Sequence, residues 1–278
     1  MGRVTMRRPV VRVRDGAVDQ RADVLAVEEP MEIRVNGHPL TVTMRTPGND
    51  FDLALGFLLS EGVIRSAGDV VTVRYCAGAQ VDGSNSYNVV DVRLAAGVPE
   101  PDTSVQRNFY TTSSCGLCGK ASLDAVRTAS AWSVSDDPAR VSPDVLATLP
   151  DRLRSAQQVF DRTGGVHAAG LFTISGDLIA AREDVGRHNA VDKVIGACVR
   201  TEGLPARGTI LMVSSRASFE LVQKAVMAGI PILAAVSAPS SLAVDLAEEA
   251  GLTLLGFVRG SSMNVYAGHH RVLGTLRD

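Results

Sequence analysis

Thr209 to Val258 reads TILMVSSRASFELVQKAVMAGIPILAAVSAPSSLAVDLAEEAGLTLLGFV. The runs TILMVSS, PILAAVS and LTLLGFV are apolar at nearly every position, and between them lie segments of helical period, Ala217 to Ala228 and Ser240 to Ala250. A strand with no polar face has no solvent face, so these runs predict strands covered on both sides in the middle of a mostly parallel sheet. Upstream, Ser142-Pro143-Asp144 predicts a helix start, serine as cap and proline in the first turn, with the helix reaching about Phe160. VHAAGLFTI and DLIAARED then read as strands around the turn Ser175-Gly176-Asp177, followed by a helix from Arg187 to about Arg200. The expected order over 138–278 is α-β-β-α-β-α-β-α-β, a three-layer α/β domain.

The first hundred residues have a different rhythm. VVRVRDG, MEIRVNGHPL and TVTMRT alternate with period two, and Asn36-Gly37 is a hairpin turn signal. Asn49 to Ile64 changes to a helical period, capped by Asn49 or Asp50 and closed near Gly62; VVTVRYC and SYNVVDVRL resume strand character. The expected organisation is a strand-rich α+β domain over 1–110, a cysteine-bearing loop and linker over 111–137, and the α/β domain over 138–278. Cys76, at a strand end, reads as a core thiol, and Trp132 as an interdomain packing residue.

The chain has 278 residues, 45% hydrophobic and 21% charged, with a net charge of -2. That composition is of an ordinary globular protein and carries no general affinity for nucleic acid. No run approaches eighteen apolar residues, and the basic N-terminus MGRVTMRRPVVRVRDG lacks the apolar core of a signal peptide. The expectation is a cytoplasmic protein with no membrane partner, and four scattered cysteines suit a reducing compartment.

Two of those cysteines sit in Thr111 to Leu123, TTSSCGLCGKASL. Gly116 and Gly119 flank the Cys115-x-x-Cys118 spacing and allow close approach of another molecule, while the hydroxyls, Lys120 and a short helix expected from Ala121 to Thr128 would favour a thiolate. A structural zinc site would need two more ligands, yet Cys76 and Cys198 are isolated and His269 and His270 are adjacent. A thioredoxin-like site would stand on a strand-to-helix turn, whereas Pro99 to Ser114 reads as a loop. A third reading is a sulfur-handling cysteine that carries a persulfide, and a fourth is two buried, inert thiols, which the glycine-rich polar setting argues against.

Cys115 to Lys120, CGLCGK, together with Arg182 to Gly196, REDVGRHNAVDKVIG, resembles the FdhD family of formate dehydrogenase accessory sulfurtransferases. The resemblance implies a persulfide on Cys115, taken from a cysteine desulfurase and passed to the molybdenum cofactor, bis-molybdopterin guanine dinucleotide, before formate dehydrogenase receives it. It implies a role for Cys118 beside Cys115, a homodimer, and a client cofactor rather than a metal held by the protein itself. The other readings are a dithiol redox protein and a nucleotide-binding regulator.

The element order also resembles the cytidine deaminase-like fold, which the family resemblance implies as well. A zinc nucleobase deaminase needs His-x-Glu at one helix start and Pro-Cys-x-x-Cys at the next. Here the first start is Gly186-Arg187-His188-Asn189-Ala190 and the second Ser214-Ser215-Arg216-Ala217-Ser218, without the glutamate and without cysteine. Those junctions suit an anionic ligand instead, because strand-to-helix turns place unpaired N–H groups and helix dipoles at the sheet's carboxyl edge. Arg187, His188, Ser214, Ser215 and Arg216 are candidates there, with Ser237, Pro239 and Ser240 at a third junction; serine can equally serve as a helix cap. Asp192 and Lys193 can face the pocket or solvent. After the last strand, Phe257, Val258, Arg259, Gly260, Ser261 and Ser262, running on to Tyr266, could stack on a flat ring and hold a phosphate tail. The resemblance implies that this segment binds the guanine-dinucleotide pterin cofactor. His167, in GGVHAAG, reads as functional or core.

Overall fold

The computed structural model describes residues 3–76, 87–101 and 130–274. β1 (Thr5–Arg14) and β2 (Ala17–Ala26) form an antiparallel ribbon that turns at Asp15-Gly16. β3 (Glu29–Val35) and β4 (His38–Arg45) make the expected hairpin, with Asn36 and Gly37 at φ 51° and 85° in the left-handed region that a tight hairpin turn requires. After α1 (Asp50–Ser60) come β5 (Val70–Tyr75) and β6 (Val89–Leu94), and the four strands form one sheet in the order β4-β3-β6-β5. The first turn of α1 is not capped by a side chain: Asn49 is left-handed, and Asp50 accepts from Gly48 N at 3.1 Å while holding the wholly buried Arg45.

The second half runs α2 (Pro143–Ser155), α3 (Gln158–Thr163), β7 (His167–Thr173), β8 (Leu178–Asp184), α4 (Arg187–Arg200), β9 (Thr209–Val213), α5 (Phe219–Met227), β10 (Ile232–Ala235), α6 (Ser241–Ala250), β11 (Thr253–Arg259) and β12 (Ser262–Ala267). Its six-stranded sheet has the order β12-β11-β10-β9-β7-β8. Every residue of β9 and β10 is buried, as their unbroken apolarity requires. The sheet is mixed rather than mostly parallel, because β9, β10 and β11 are parallel while β7, β8 and β12 pair antiparallel. α2 covers one face through Leu146, Leu149 and Leu153, packed with Phe172, Met212 and Leu255. α4, α5 and α6 cover the other, in a core continuous with α1 and the inner face of the four-stranded sheet.

One expected boundary moves. The helix from Ser142 does not run to Phe160: it stops at Ser155, and Gln157 leaves the helical region at ψ 77°. The cause is Glu183 on β8, whose carboxylate accepts from Val159 N and Phe160 N at 2.8 Å each and so starts α3 as a separate turn. Trp132 lies against the end of α5, donating its indole N–H to Met227 O at 3.0 Å.

α1 and α4 cross at unusually short range. A Cβ on Gly56 would lie 1.8 Å from Asp192 O, and one on Gly196 would lie 1.8 Å from Asp52 O. Glycine at both positions is what lets the two backbones touch.

Candidate functional site

The motif from Arg182 to Gly196 is chiefly a fastening. Arg182 donates to Asp52 from Nε at 3.1 Å and Nη2 at 2.9 Å, and Arg200 donates to the other carboxylate oxygen at 2.7 Å. Asp184, wholly buried, pairs with Lys193 at 2.7 Å and accepts from Thr46 N, Gly186 N and Asn189 Nδ2. Asp192 is buried against Lys224 at 2.7 Å and accepts from Ser60 Oγ at 2.9 Å. Asp192 and Lys193 therefore face neither pocket nor solvent; they tie α4 to α5, α1 and the β4–α1 turn. Their bonds reach across more than a hundred residues of sequence to Ser60 and Thr46.

Arg187 and His188 remain for chemistry, in the first turn of α4. Among the described residues, the Nε of Arg187 is buried without a hydrogen-bond partner. A buried unpaired guanidinium N–H costs free energy unless a ligand meets it. His188 Nε2 lies 3.3 Å from Ser218 Oγ and 3.7 Å from Glu220 Oε2, at the start of α5. The His188 ring 3.7 Å away, with Ser218 beside it, pulls the Glu220 carboxyl from its ordinary 4.5 down to about 2, against the burial that opposes them. A depressed carboxyl contributes stability above its unfolded pKa and loses it as pH falls through the folded one. The wild-type advantage over Glu220→Gln in chemical denaturation is thus expected to be full just above pH 4.5 and to vanish by about pH 2. A difference independent of pH over that window would refute the contact.

The serines of the second junction are already engaged. Ser214 Oγ accepts from Ala168 N at 2.9 Å, and Ser214 N donates back to Ala168 O, so the residue extends the β7–β9 pairing. Ser215 is buried, with its hydroxyl on Arg216 O, while Arg216 is exposed. Ser240 caps α6 by accepting from Ala243 N at 3.3 Å. Bonds from Ala217 N to Ala238 O and from Ser240 N to Ala217 O lace the starts of α5 and α6 together.

The segment after β11 is a hairpin rather than a bare junction. Gly260, at φ 51°, turns the chain into β12, and SMNVYA returns antiparallel along β11. Val258 is wholly buried among the residues under α2, so only its backbone can reach the edge. Phe257 is 40% exposed and held at φ 53°, at a register shift in the hairpin, with its N–H on Ser237 O. A left-handed phenylalanine is strained, and such strain clusters at ligand sites. Arg259 Nε donates to Val236 O at 3.3 Å, which fixes the hairpin to the end of β10. Ser261 and Ser262 are exposed beside it. The fold thus gathers the first turns of α4, α5 and α6 and the β11–β12 hairpin around the carboxyl ends of β9, β10 and β11.

Beneath this edge lies a cavity of about 560 Å³, bordered by His167, Ser214, Val236, Val185 and Phe160. Burial first, then the nearby Arg187 and His188, holds His167 below the usual imidazole range, with Asp184 opposing them. The back wall, from α2 and α3, carries no motif that marks it in the sequence. Cys198 is a buried thiol pushed up to about 11 by burial, and Cys76 is half-buried at the end of β5 rather than in the core. Cys115, Cys118, Lys120 and the helix expected from Ala121 lie outside the described residues.

The FdhD/NarQ family model matches residues 26–273 of this chain. The sulfur carrier protein FdhD of Streptomyces avermitilis is 68% identical over 273 residues, covering 98% of this chain and 97% of the relative. The protein of the same name from Mycobacterium tuberculosis is 58% identical over 276 residues, covering 98% and 100%. A crystal structure assigned to a formate dehydrogenase accessory protein of Desulfotalea psychrophila shares the fold, with a TM-score of 0.76 at 24% identity over 98% of this chain and 100% of that one. Among the described residues no helix is long and apolar enough to cross a membrane, and no group of three or more histidine, cysteine or acidic residues could hold a metal.

Proposed function

The chain belongs to the FdhD/NarQ family, and on that footing we propose that it is a cytoplasmic sulfur carrier that matures formate dehydrogenase. The observation that carries the reading is likeness over 98% of the chain to proteins named as sulfur carriers, in a sequence that holds Cys115-Gly-Leu-Cys118 between glycines. The Cys115 thiolate attacks the terminal sulfur of a cysteine desulfurase persulfide; the donor's S–S bond breaks, its thiolate leaves, and Cys115–S–SH forms. Cys118 acts beside it. The Cys115 S–S bond then breaks, the Cys115 thiolate leaves, and the terminal sulfur, reduced to the sulfide level by two electrons from a thiol reductant, would be delivered to bis-molybdopterin guanine dinucleotide, the client that formate dehydrogenase receives.

The client binds at the carboxyl edge. Arg216 and Arg259 pair with phosphate, Phe257 offers an exposed ring for stacking, and Arg187 with its unpaired Nε adds a further cation. Ser214 and Ser215 shape the turns, while Gly260, Ser261 and Ser262 present backbone and hydroxyls at the hairpin. The α2, sheet and α4–α6 layering, with β7 antiparallel beside β9, supports a cytidine deaminase-like description of the second half, and the carrier works as a homodimer. Mass spectrometry after incubation with cysteine desulfurase and cysteine tests the reading. One added sulfur on the peptide holding Cys115 is expected; a protein that cycles between dithiol and disulfide without gaining sulfur would be a redox protein instead.

A further inference from the structure

The ribbon of β1 and β2 is a sheet of its own, and its two outer edges are built differently. Val27 N donates to Val4 O at 2.9 Å in register with the ribbon, and ladder bonds alternate along an antiparallel pair. The odd-numbered residues of β1 and the even-numbered residues of β2 therefore turn their backbone groups outward. On β1 one of those positions is Pro9, which has no N–H, and four arginines stand along the strand. Proline and charge protect an edge that stays free. β2 has no proline; among the described residues no strand pairs with its outer edge, and Ala17 to Ala22 are all exposed. The outward N–H of Val24 is taken by Asp23 Oδ1 at 3.1 Å, which leaves Val18, Gln20 and Ala22 as the open positions, symmetric about Gln20.

That symmetry fits a second copy of the chain. Two β2 strands running antiparallel across a twofold axis at Gln20 put Val18 of each opposite Ala22 of the other, and Asp19 of each opposite Arg21 of the other. Centring the pair on Asp19 or on Arg21 would instead set two like charges face to face. Val11, Val13 and Val18 are 61%, 69% and 67% exposed on the face that also carries Pro9 and Ala22, and the pairing joins them to the same residues of the second copy in one apolar strip. A lone two-stranded ribbon is marginal in water, whereas the pair makes four strands. We propose that the outer edge of β2 is the homodimer contact, Ala17 to Asp23 pairing antiparallel with the same residues of a second copy about Gln20. The proposal rests on the homodimer of the carrier reading and names its surface.

Sedimentation equilibrium of the full chain and of two charge variants tests it. Asp19→Arg leaves only arginines facing one another across the axis, and Arg21→Asp leaves only aspartates. Each variant alone is expected to dimerise at least about tenfold more weakly than the wild type, as two attractive pairs become repulsive. An equimolar mixture of the two is expected to recover the wild-type dissociation constant to within about threefold, because each arginine then faces an aspartate. Gln20→Cys under mild oxidation is expected to give a disulfide joining two copies of the peptide that holds residue 20, read by mass spectrometry. A wild-type chain that sediments as a monomer overturns the contact and the homodimer with it, and leaves the edge to a strand of another protein. A wild-type dimer that neither variant weakens overturns the contact and keeps the homodimer. A mixture no tighter than the single variants, or a Gln20→Cys protein without that crosslink, overturns the pairing about Gln20.

Discussion

Gly196→Ala is expected to destabilise the protein by about 3 kcal/mol or more, because overpacking a site that cannot relax exceeds the usual cost of a core enlargement. The added Cβ would lie 1.8 Å from Asp52 O, a backbone atom of α1, so no side chain can swing aside and the two helices must part. Gly56→Ala meets Asp192 O at the same 1.8 Å, and the two substitutions attack one contact from opposite sides. Thermal denaturation should show each losing roughly 6–12 °C in Tm, with the double variant losing less than the sum. Gly68→Ala, whose nearest neighbour would be a serine hydroxyl at 3.5 Å, is the control and should be nearly silent. A Gly196→Ala protein as stable as the control would mean that the crossing is wrong.

Lys224→Met should cost about 3–5 kcal/mol, since it leaves the Asp192 carboxylate buried with no counter-ion. Asp192 is 2% exposed, and Ser60 Oγ at 2.9 Å is the partner that would remain from its side-chain contacts. Adding Asp192→Leu should recover most of the loss, because two buried charges then disappear together. Urea denaturation decides: a Lys224→Met cost below about 1 kcal/mol would place the pair in solvent.

The two variants also mark where the sequence stops being informative. TILMV and ILAA declared themselves as central strands because a run with no polar position has nowhere to go but between layers. Asn36-Gly37 declared its hairpin because both residues tolerate positive φ. Asp184, Asp192 and Lys193 look by spacing like groups on an open helix face, yet their partners are supplied by α5, α1 and the turn at Thr46. Helical period records which face is polar and not what that face meets. The break at Gln157 was equally invisible, since the carboxylate that starts α3 comes from β8. In the candidate site, Arg187, His188, Arg216 and Arg259 were legible as basic residues at junctions. β12 was not, because Arg-Gly-Ser-Ser reads as loop and the strand after it is short. Ser214 and Ser215 illustrate a third case, with hydroxyls that could serve a ligand but serve the backbone instead.

The central claim is that sulfur is carried on Cys115 while the client is held elsewhere, at the sheet edge. Two readouts on one set of proteins separate these functions: persulfide loading by mass spectrometry, and guanine-nucleotide binding by isothermal calorimetry. Arg216→Ala and Arg259→Ala are predicted to weaken nucleotide binding by about tenfold each, the loss of a charged hydrogen bond, with loading unchanged. Cys115→Ala is predicted to lose loading altogether and to bind nucleotide as the wild type does. Unchanged binding in both arginine variants, undiminished loading in Cys115→Ala, or lost binding in that variant would contradict the account.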